Sequence, residues 1–299
     1  MTQSSHARVT LLSDGHCLSD GGGQYGLVPR PRWMRLQAPD EHNRIPQDLR
    51  SLLIRLPGRV IVVDAGCGDK PGLDSYYTVV RPRGSLLDDL ARHGIAAEQV
   101  TDVILTHLHG DHCGWLTRPT GQGGYRGINT PFTSGDLAPV FPNARHYVQR
   151  REVEAALSPN ERTRNTYFAE NIQPIAAAGA LTLLDGPAEI APGVRTVFTP
   201  GHSEGHQSVI IEDATLDAPS ARGTLFYLGE LATVMIQFVR LPWVTAYDVL
   251  PMTTIDSKRT WQAWAIETGA IVITGHDPDV LAARIVRDKA GFASAVEVR

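Results

Sequence analysis

The sequence THLHGDHCG, residues 106–114, contains four potential metal ligands within six positions. It directly follows a short apolar run that we predict to be a β-strand. Alternate residues of an extended segment point the same way, so His107 and His109 can bind one ion together. After the glycine the chain can turn sharply, which lets Asp111 and His112 face a neighbouring ion. Imidazole and carboxylate ligands suit zinc, and also manganese or iron, so the segment predicts a metal site.

Two later segments have the same form, an apolar strand that ends in a Gly-His step. They are FTPGHSEGH, residues 198–206, and ITGHDP, residues 273–278. Glycine before each histidine lets the backbone come close to a shared centre. Alone, either histidine would more often be a surface or core residue. Beside the first motif, we predict that His202 and His276 are further ligands, whereas His206 could equally support a loop.

The wider pattern of the chain predicts a layered α/β protein, because short β-branched runs alternate with helical segments. The predicted strands are Ser51–Leu56, Val60–Val63, Val103–Leu105, Arg195–Phe198, Ser208–Ile211, Leu225–Leu228 and Ile271–Ile273. The predicted helices are 86–91 with Ser85 as cap, Arg150–Leu157, Ile255–Thr268 with Thr253 or Thr254 as cap, and one that starts at Asp277 or Asp279 and runs through Ile285. The glycine-rich stretch 118–136 is predicted to be a long surface loop. No linker is evident, so we predict one domain over residues 1–299.

Composition excludes several classes of protein. The 299 residues carry a formal net charge of -4, which does not resemble the basic surface of a nucleic-acid-binding protein. No run approaches the roughly 18 apolar residues of a membrane helix, and no secretory leader is visible. Three widely spaced cysteines make a poor disulfide framework. We therefore expect a cytoplasmic protein that binds neither nucleic acid nor membranes.

Together these motifs resemble the metallo-β-lactamase superfamily, hydrolases with two mixed β-sheets flanked by helices in an αββα sandwich. The resemblance runs from VVDAG at 62–66 through the histidine run and PGH at 200–202 to GH at 275–276. The pattern is most similar to the branch of acyl-homoserine lactonases and methyl parathion hydrolase. Asp64 resembles a residue that accepts a proton from a metal-bound imidazole. Cys113 is expected to be a small buried residue rather than a ligand.

The resemblance implies a centre with two divalent metal ions, most simply zinc, with manganese or iron as alternatives. It implies His107, His109 and His202 as ligands of the first ion. It implies Asp111, His112 and His276 as ligands of the second. The family usually has a bridging aspartate where this chain has Glu230. Its longer side chain could bridge the ions at a wider separation, bind one ion only, or turn away and leave the second site weak.

These features predict a metal-dependent hydrolase in which a metal-bound hydroxide opens a lactone or small ester. Asp111 can orient the hydroxide and pass its proton to the leaving group. Lactonases of the branch have a tyrosine three residues after the bridging aspartate, where this chain has Thr233. Tyr247 is the nearest substitute that could hydrogen-bond a carbonyl oxygen, and a core tyrosine is an equal alternative. Trp115 is among the aromatic residues expected at the rim of the site.

The expected partner is a small-molecule substrate. Alternatives are hydrolysis of phosphotriesters or phosphodiesters, and a catalytically weak ligand-binding protein with the same fold. A homodimer also stays open. The apolar segment Leu231–Val239 could form its surface or belong to the core.

Overall fold

A computed structural model describes residues 6–121, 124–133 and 135–298. The β-strands among these residues are β1 Ala7–Asp20, β2 Arg44–Leu56, β3 Arg59–Val63, β4 Thr78–Val80, β5 Asp102–Ile104, β6 Thr117–Pro119, β7 Leu137–Pro139, β8 Arg145–Gln149, β9 Leu181–Leu184, β10 Ala188–Ala191, β11 Val194–Phe198, β12 Gln207–Leu216, β13 Ala221–Tyr227, β14 Ile271–Ile273, β15 Ala282–Arg287 and β16 Ala293–Glu297. The α-helices are α1 Gly21–Tyr25, α2 Arg30–Trp33, α3 Leu86–Arg92, α4 Gly110–Cys113, α5 Arg150–Leu157, α6 Ala169–Ala177, α7 Met235–Val239 and α8 Pro251–Thr268. Short 3-10 helices span Leu73–Ser75, Ala97–Gln99 and Gly114–Leu116.

These elements form two compact units. Unit 1 comprises the described residues of Met1–Val9, Leu18–Asp48 and Gly186–Arg299, and unit 2 comprises Thr10–Cys17 and Leu49–Asp185. Mixed β-sheets with flanking helices confirm the predicted α/β class. A single domain over residues 1–299 stays a prediction. Among the described residues, no helix has both the length and the apolar composition needed to cross a bilayer.

Unit 2 is built on parallel strands. Strand β3 pairs antiparallel with β2 and parallel with β5, and β8 and β9 extend the parallel run. In the register of β3 and β5, Val63 lies opposite Ile104. Asp64 directly follows β3 and Thr106 lies two residues after β5, so both emerge at the same edge of the sheet, where the Thr106 amide donates to the Asp64 carboxylate.

Helix α3 of unit 2 begins as the sequence predicts. Ser85 accepts a hydrogen bond from the Asp88 amide, and the Asp88 side chain accepts one from the Ser85 amide, which forms a capping box. Helix α5 spans the predicted Arg150–Leu157. Both helices pack on an apolar core that includes Leu90, Val103 and Val153.

Unit 1 contains the strand ends that lead to the remaining predicted ligands. Strands β11, β12 and β13 are antiparallel neighbours, and β13 pairs parallel with β14. Because β13 and β14 are parallel neighbours, their C-terminal ends lie side by side, and Glu230 and His276 follow these two strand ends. Most residues of Leu231–Val239 are buried in the core of unit 1, which decides that apolar segment in favour of the core.

Two local predictions are wrong. Helix α8 begins at Pro251, with Leu250 rather than Thr253 or Thr254 at its cap, because proline fits the first helical position. The fourth predicted helix is instead strand β15, paired antiparallel with β14 and β16. Its apolar residues meet sheet neighbours on both sides, and this pairing prevails over local helix propensity.

The glycine-rich stretch 118–136 departs from the predicted surface loop only at its start, as far as its described residues show. Its first two residues belong to strand β6, which pairs with β7. Residues 122, 123 and 134 of this stretch lie outside the described residues.

Candidate metal centre

The histidine run of unit 2 lies directly after β5, at the edge of the parallel sheet. The rings of His107 and His109 are 4.5 Å apart, at an angle of 82°, and their ligand nitrogens lie within 4.8 Å of each other. Asp111 and His112 lie in helix α4, where the Asp111 Oδ2 atom is 3.9 Å from the His112 Nε2 atom. The three histidines are almost completely buried. The run thus presents two adjacent pairs of donors.

Hydrogen bonds in unit 2 orient two of these imidazoles. The His112 Nδ1 atom is 2.9 Å from a carboxylate oxygen of Asp64, which can only accept, so Nδ1 carries the proton. The Thr106 hydroxyl donates to Asp64 and lies 3.0 Å from the His107 Nδ1 atom. Its one proton is used, so it accepts from His107. In both rings the lone pair is on Nε2, the nitrogen that can bind a metal.

Asp64 is held firmly in this position. Its amide donates to the Ile104 carbonyl, and its Oδ1 atom accepts from the Thr106 amide. Its φ of 60° lies in the left-handed region, which costs a non-glycine residue about 1 kcal/mol or more. The predicted role of Asp64 as a proton acceptor for an imidazole agrees with this geometry.

In unit 1, the carboxylate of Glu230 lies between two histidines. Its Oε2 atom is 2.6 Å from the His202 Nε2 atom, and its Oε1 atom is 3.6 Å from the His276 Nε2 atom. All three side chains are buried. One carboxylate oxygen therefore faces each imidazole, as a bridging ligand requires.

The two histidines of unit 1 are also fixed through Nδ1. The His202 Nδ1 atom is 3.0 Å from the Asp248 carboxylate, and the His276 Nδ1 atom is 2.6 Å from the Asp48 carbonyl oxygen. Both partners only accept, so each ring in its neutral form carries its proton on Nδ1 and its lone pair on Nε2. Burial alone would lower the pKa of His202, but the carboxylates of Glu230 and Asp248 outweigh it and raise this pKa well above the ordinary value.

His206 has a different role from its neighbour. Its Nδ1 atom is 3.0 Å from the Thr199 carbonyl oxygen, and its Nε2 atom accepts a hydrogen bond from the Glu230 amide at 2.9 Å. Both nitrogens are therefore used in holding the backbone. Of the two alternatives that the sequence leaves open for His206, the structure favours support of a loop.

The donors of both units suit a divalent metal. Nitrogen from neutral imidazole and oxygen from carboxylate are the ligands that zinc binds in hydrolases. Four of the imidazoles offer Nε2 because an acceptor holds Nδ1, the arrangement typical of metal-binding histidines. The residues present therefore fit metal ions.

One aromatic residue beside the run was not found from the sequence. The Tyr77 hydroxyl donates to the Asp111 Oδ1 atom at 3.3 Å. Burial, and then the nearby charge of Asp111, raise the pKa of Tyr77 well above its usual value. No motif surrounds Tyr77, so only the fold could reveal this contact.

Two aromatic residues named from the sequence have other surroundings. Tyr247 is 41% exposed, and a Cβ atom added at Gly23 would lie 2.3 Å from its hydroxyl oxygen, so the phenol lies over helix α1. Its catalytic role stays a prediction. Trp115, expected at a rim, is instead 5% exposed in the core of unit 2, because its indole N–H donates to the buried Asp14.

Asp14 is a second residue that sequence reasoning missed. Its carboxylate also accepts hydrogen bonds from the backbone amides of Cys67 and Leu86. Two nitrogens of Arg81 complete this set, at 2.9 and 3.0 Å. Asp14 thus joins the segment after Asp64 to the start of helix α3.

Comparison with known proteins agrees with this architecture. Residues 50–125, which include the histidine run, match the sequence profile of the metallo-beta-lactamase superfamily. A structure of a probable metal-dependent hydrolase from Staphylococcus aureus superimposes with a TM-score of 0.81 at 25% identity, covering 99% of this chain and 98% of that one. The chain therefore has the metallo-β-lactamase fold.

Two further proteins resemble this chain. An N-acyl homoserine lactonase AttM of Azorhizobium caulinodans is 29% identical over 218 residues, which is 69% of each chain. The structure of AidC, a dizinc quorum-quenching lactonase, superimposes with a TM-score of 0.72 at 19% identity, covering 96% of this chain and 92% of that one. The second likeness concerns the fold alone.

Proposed function

We propose that this chain is a metal-dependent hydrolase that opens the ring of acyl-homoserine lactones. The observation that carries the proposal is the set of four buried imidazoles whose Nδ1 atoms are held by acceptors, so that Nε2 can bind a metal. The substrate class is supported by relatives that are named N-acyl homoserine lactonases.

The proposed centre holds two divalent ions, with zinc as first choice and manganese or iron as alternatives. One ion would be bound by His107, His109 and His202, and the other by Asp111, His112 and His276. Glu230 would bridge them, and its position between His202 and His276 supports this role. A dizinc lactonase with the same fold adds support for two zinc ions.

When bound, such ions would lower the pKa of water, which provides a hydroxide nucleophile at neutral pH, and would polarise the carbonyl of the substrate. The chain's own residues orient the reaction. Asp111 would hold the attacking water by one carboxylate oxygen and transfer its proton to the alkoxide that leaves as the ring opens. Asp64 and Asp248 keep His112 and His202 in the tautomer that binds metal.

Ring opening can be tested directly with purified, zinc-loaded protein and N-hexanoyl-homoserine lactone. The acid product releases a proton, which a pH indicator follows continuously. We expect turnover by the wild type and a loss of at least about 100-fold in His109→Ala, since it removes a proposed ligand. His42→Ala, at an exposed histidine, is the matched control and should keep full activity.

Assays with other substrates distinguish lactone hydrolysis from the alternative functions. Turnover of a phosphotriester or a phosphodiester, with the lactone left intact, would replace lactone hydrolysis by phosphoester hydrolysis. Two bound metals without turnover of any of the three would favour a ligand-binding protein. A cytoplasmic location and a homodimer stay proposals, and the location is supported by three buried cysteines, Cys17, Cys67 and Cys113, that are not joined in disulfides.

A further inference from the structure

The two carboxylate oxygens of Asp111 have different surroundings. The Oδ1 atom lies 3.3 Å from the Tyr77 hydroxyl, which donates to it. The Oδ2 atom lies on the side of His112, 3.9 Å from the Nε2 atom that Asp64 leaves available for a metal. When Tyr77 binds Oδ1, the Asp111 side chain is therefore in a conformation that places Oδ2 beside the Nε2 atom of His112.

This contact depends on the absence of a side chain at Gly110. A Cβ atom there would lie 2.3 Å from the Phe168 Cε2 atom and 3.3 Å from the Tyr77 Cε2 atom. The ring of Phe168 meets that of Tyr77 edge to face, with centroids 6.5 Å apart. Gly110 thus makes room for Phe168, and Phe168 supports the tyrosine whose hydroxyl reaches Asp111.

We propose that Tyr77 is a positioning residue that holds the Asp111 carboxylate by Oδ1 and keeps Oδ2 directed to the metal centre. This inference rests on the metal centre of the proposed function. Tyr77 acts through Asp111 and does not need to touch the substrate. Mutation of a residue that hydrogen-bonds to a metal ligand typically lowers metal affinity or activity by roughly 10- to 100-fold. The contact between Tyr77 and Asp111 is long, at 3.3 Å, so we expect an effect near 10-fold.

The neighbouring tyrosine provides a matched control. Tyr76 also packs on Phe168, with ring centroids 4.9 Å apart, but its hydroxyl accepts a hydrogen bond from Asn129. Tyr76→Phe and Tyr77→Phe therefore remove the same atom from adjacent positions on the same aromatic cluster. Only the second removes a donor to Asp111.

The test measures zinc affinity by competition with a chromophoric chelator, and kcat and KM with N-hexanoyl-homoserine lactone. For Tyr77→Phe we expect one of two zinc ions to bind roughly 10-fold more weakly, kcat to fall by a similar factor and KM to change less than about twofold. Tyr76→Phe should match the wild type in all three. Melting temperatures of the chelator-treated proteins check that both variants remain folded.

The outcomes separate this inference from the function it rests on. Wild-type zinc affinity in Tyr77→Phe, or an equal loss in both variants, would overturn the positioning role while leaving the hydrolase intact. A wild type that binds no zinc would overturn the metal centre itself, and the positioning role with it. Weaker binding of one ion in Tyr77→Phe alone supports the proposal.

Discussion

A buried histidine outside the predicted set of ligands should make the fold sensitive to acid. His146 lies in β8 with no exposed surface, and no hydrogen bond of standard geometry from a described residue reaches either ring nitrogen. Burial lowers the pKa of His146 to about 4 from its ordinary 6.5, against a smaller opposing effect of the backbone groups of Ala180 and Ala144. The folded protein therefore keeps this ring neutral where the unfolded chain binds a proton.

The direction and size of the effect follow from this pKa difference. Below pH 6.5 the unfolded state binds more protons at residue 146 than the folded state, so stability falls as the pH falls. At pH 8 the contribution is negligible. With pKa values of 6.5 and about 4, the free energy of unfolding is lowered by about 2 kcal/mol at pH 5, and the loss levels off at about 3 kcal/mol below pH 4.

The change His146→Leu removes the titrating group and keeps an apolar side chain of similar size in the strand. Its unfolding free energy, from urea titrations, should lie within about 1.5 kcal/mol of the wild type at pH 8. Between pH 8 and pH 5, the variant should lose about 2 kcal/mol less than the wild type. Both proteins are measured under the same metal conditions, so any contribution of metal release is common to them.

The exposed His42 offers the control for this comparison. His42→Leu should keep the pH dependence of the wild type. An unchanged pH dependence in His146→Leu would refute the reasoning, because it would mean that the buried ring is not the group that resists protonation.

Two further predictions concern buried carboxylates. Asp14→Asn replaces one carboxylate oxygen of a buried ion pair by an amide donor, and the unfolding free energy from urea titrations should fall by about 3 kcal/mol. The control Asp213→Asn, at an exposed ion pair, should change this free energy little. A fall of the same size in both variants would contradict the role of Asp14. Asp248→Ala removes the acceptor that holds His202 and should weaken zinc binding by roughly 10-fold or more, while the exposed Asp256→Ala should not. Zinc competition with a chelator measures this, and equal affinities would count against orientation through Nδ1.

The strands that precede Asp64, His202 and His276 are visible in the sequence because each is short, β-branched and bounded by glycine, proline or aspartate. The observed β3, β11 and β14 contain the predicted segments at 60–63, 195–198 and 271–273. Strand β15 was not visible as a strand. Its residues AARIVR suit a helix locally, and the pairing with β14 and β16 that makes them a strand lies elsewhere in the chain.

The ligand run was predictable for a local reason, whereas the groups that orient it were not. Four donors within six residues at a strand end are recognisable as a pattern, since neighbouring residues must share a site. The acceptors of the imidazoles have no such spacing. Thr106 adjoins His107, but Asp64 lies 48 residues from His112, and the carbonyl at position 48 lies 228 residues from His276.

A backbone carbonyl has no signature in sequence, because every residue has one. The Asp48 carbonyl fixes the tautomer of His276 as definitely as a carboxylate would, since it too can only accept a hydrogen bond. The same holds for the Glu230 amide, which uses the Nε2 atom of His206 and so removes that histidine from the set of ligand candidates. His202 and His206 belong to the same segment of sequence, but they differ in what their ring nitrogens contact. Only the three-dimensional structure shows that His206 binds backbone groups through both nitrogens.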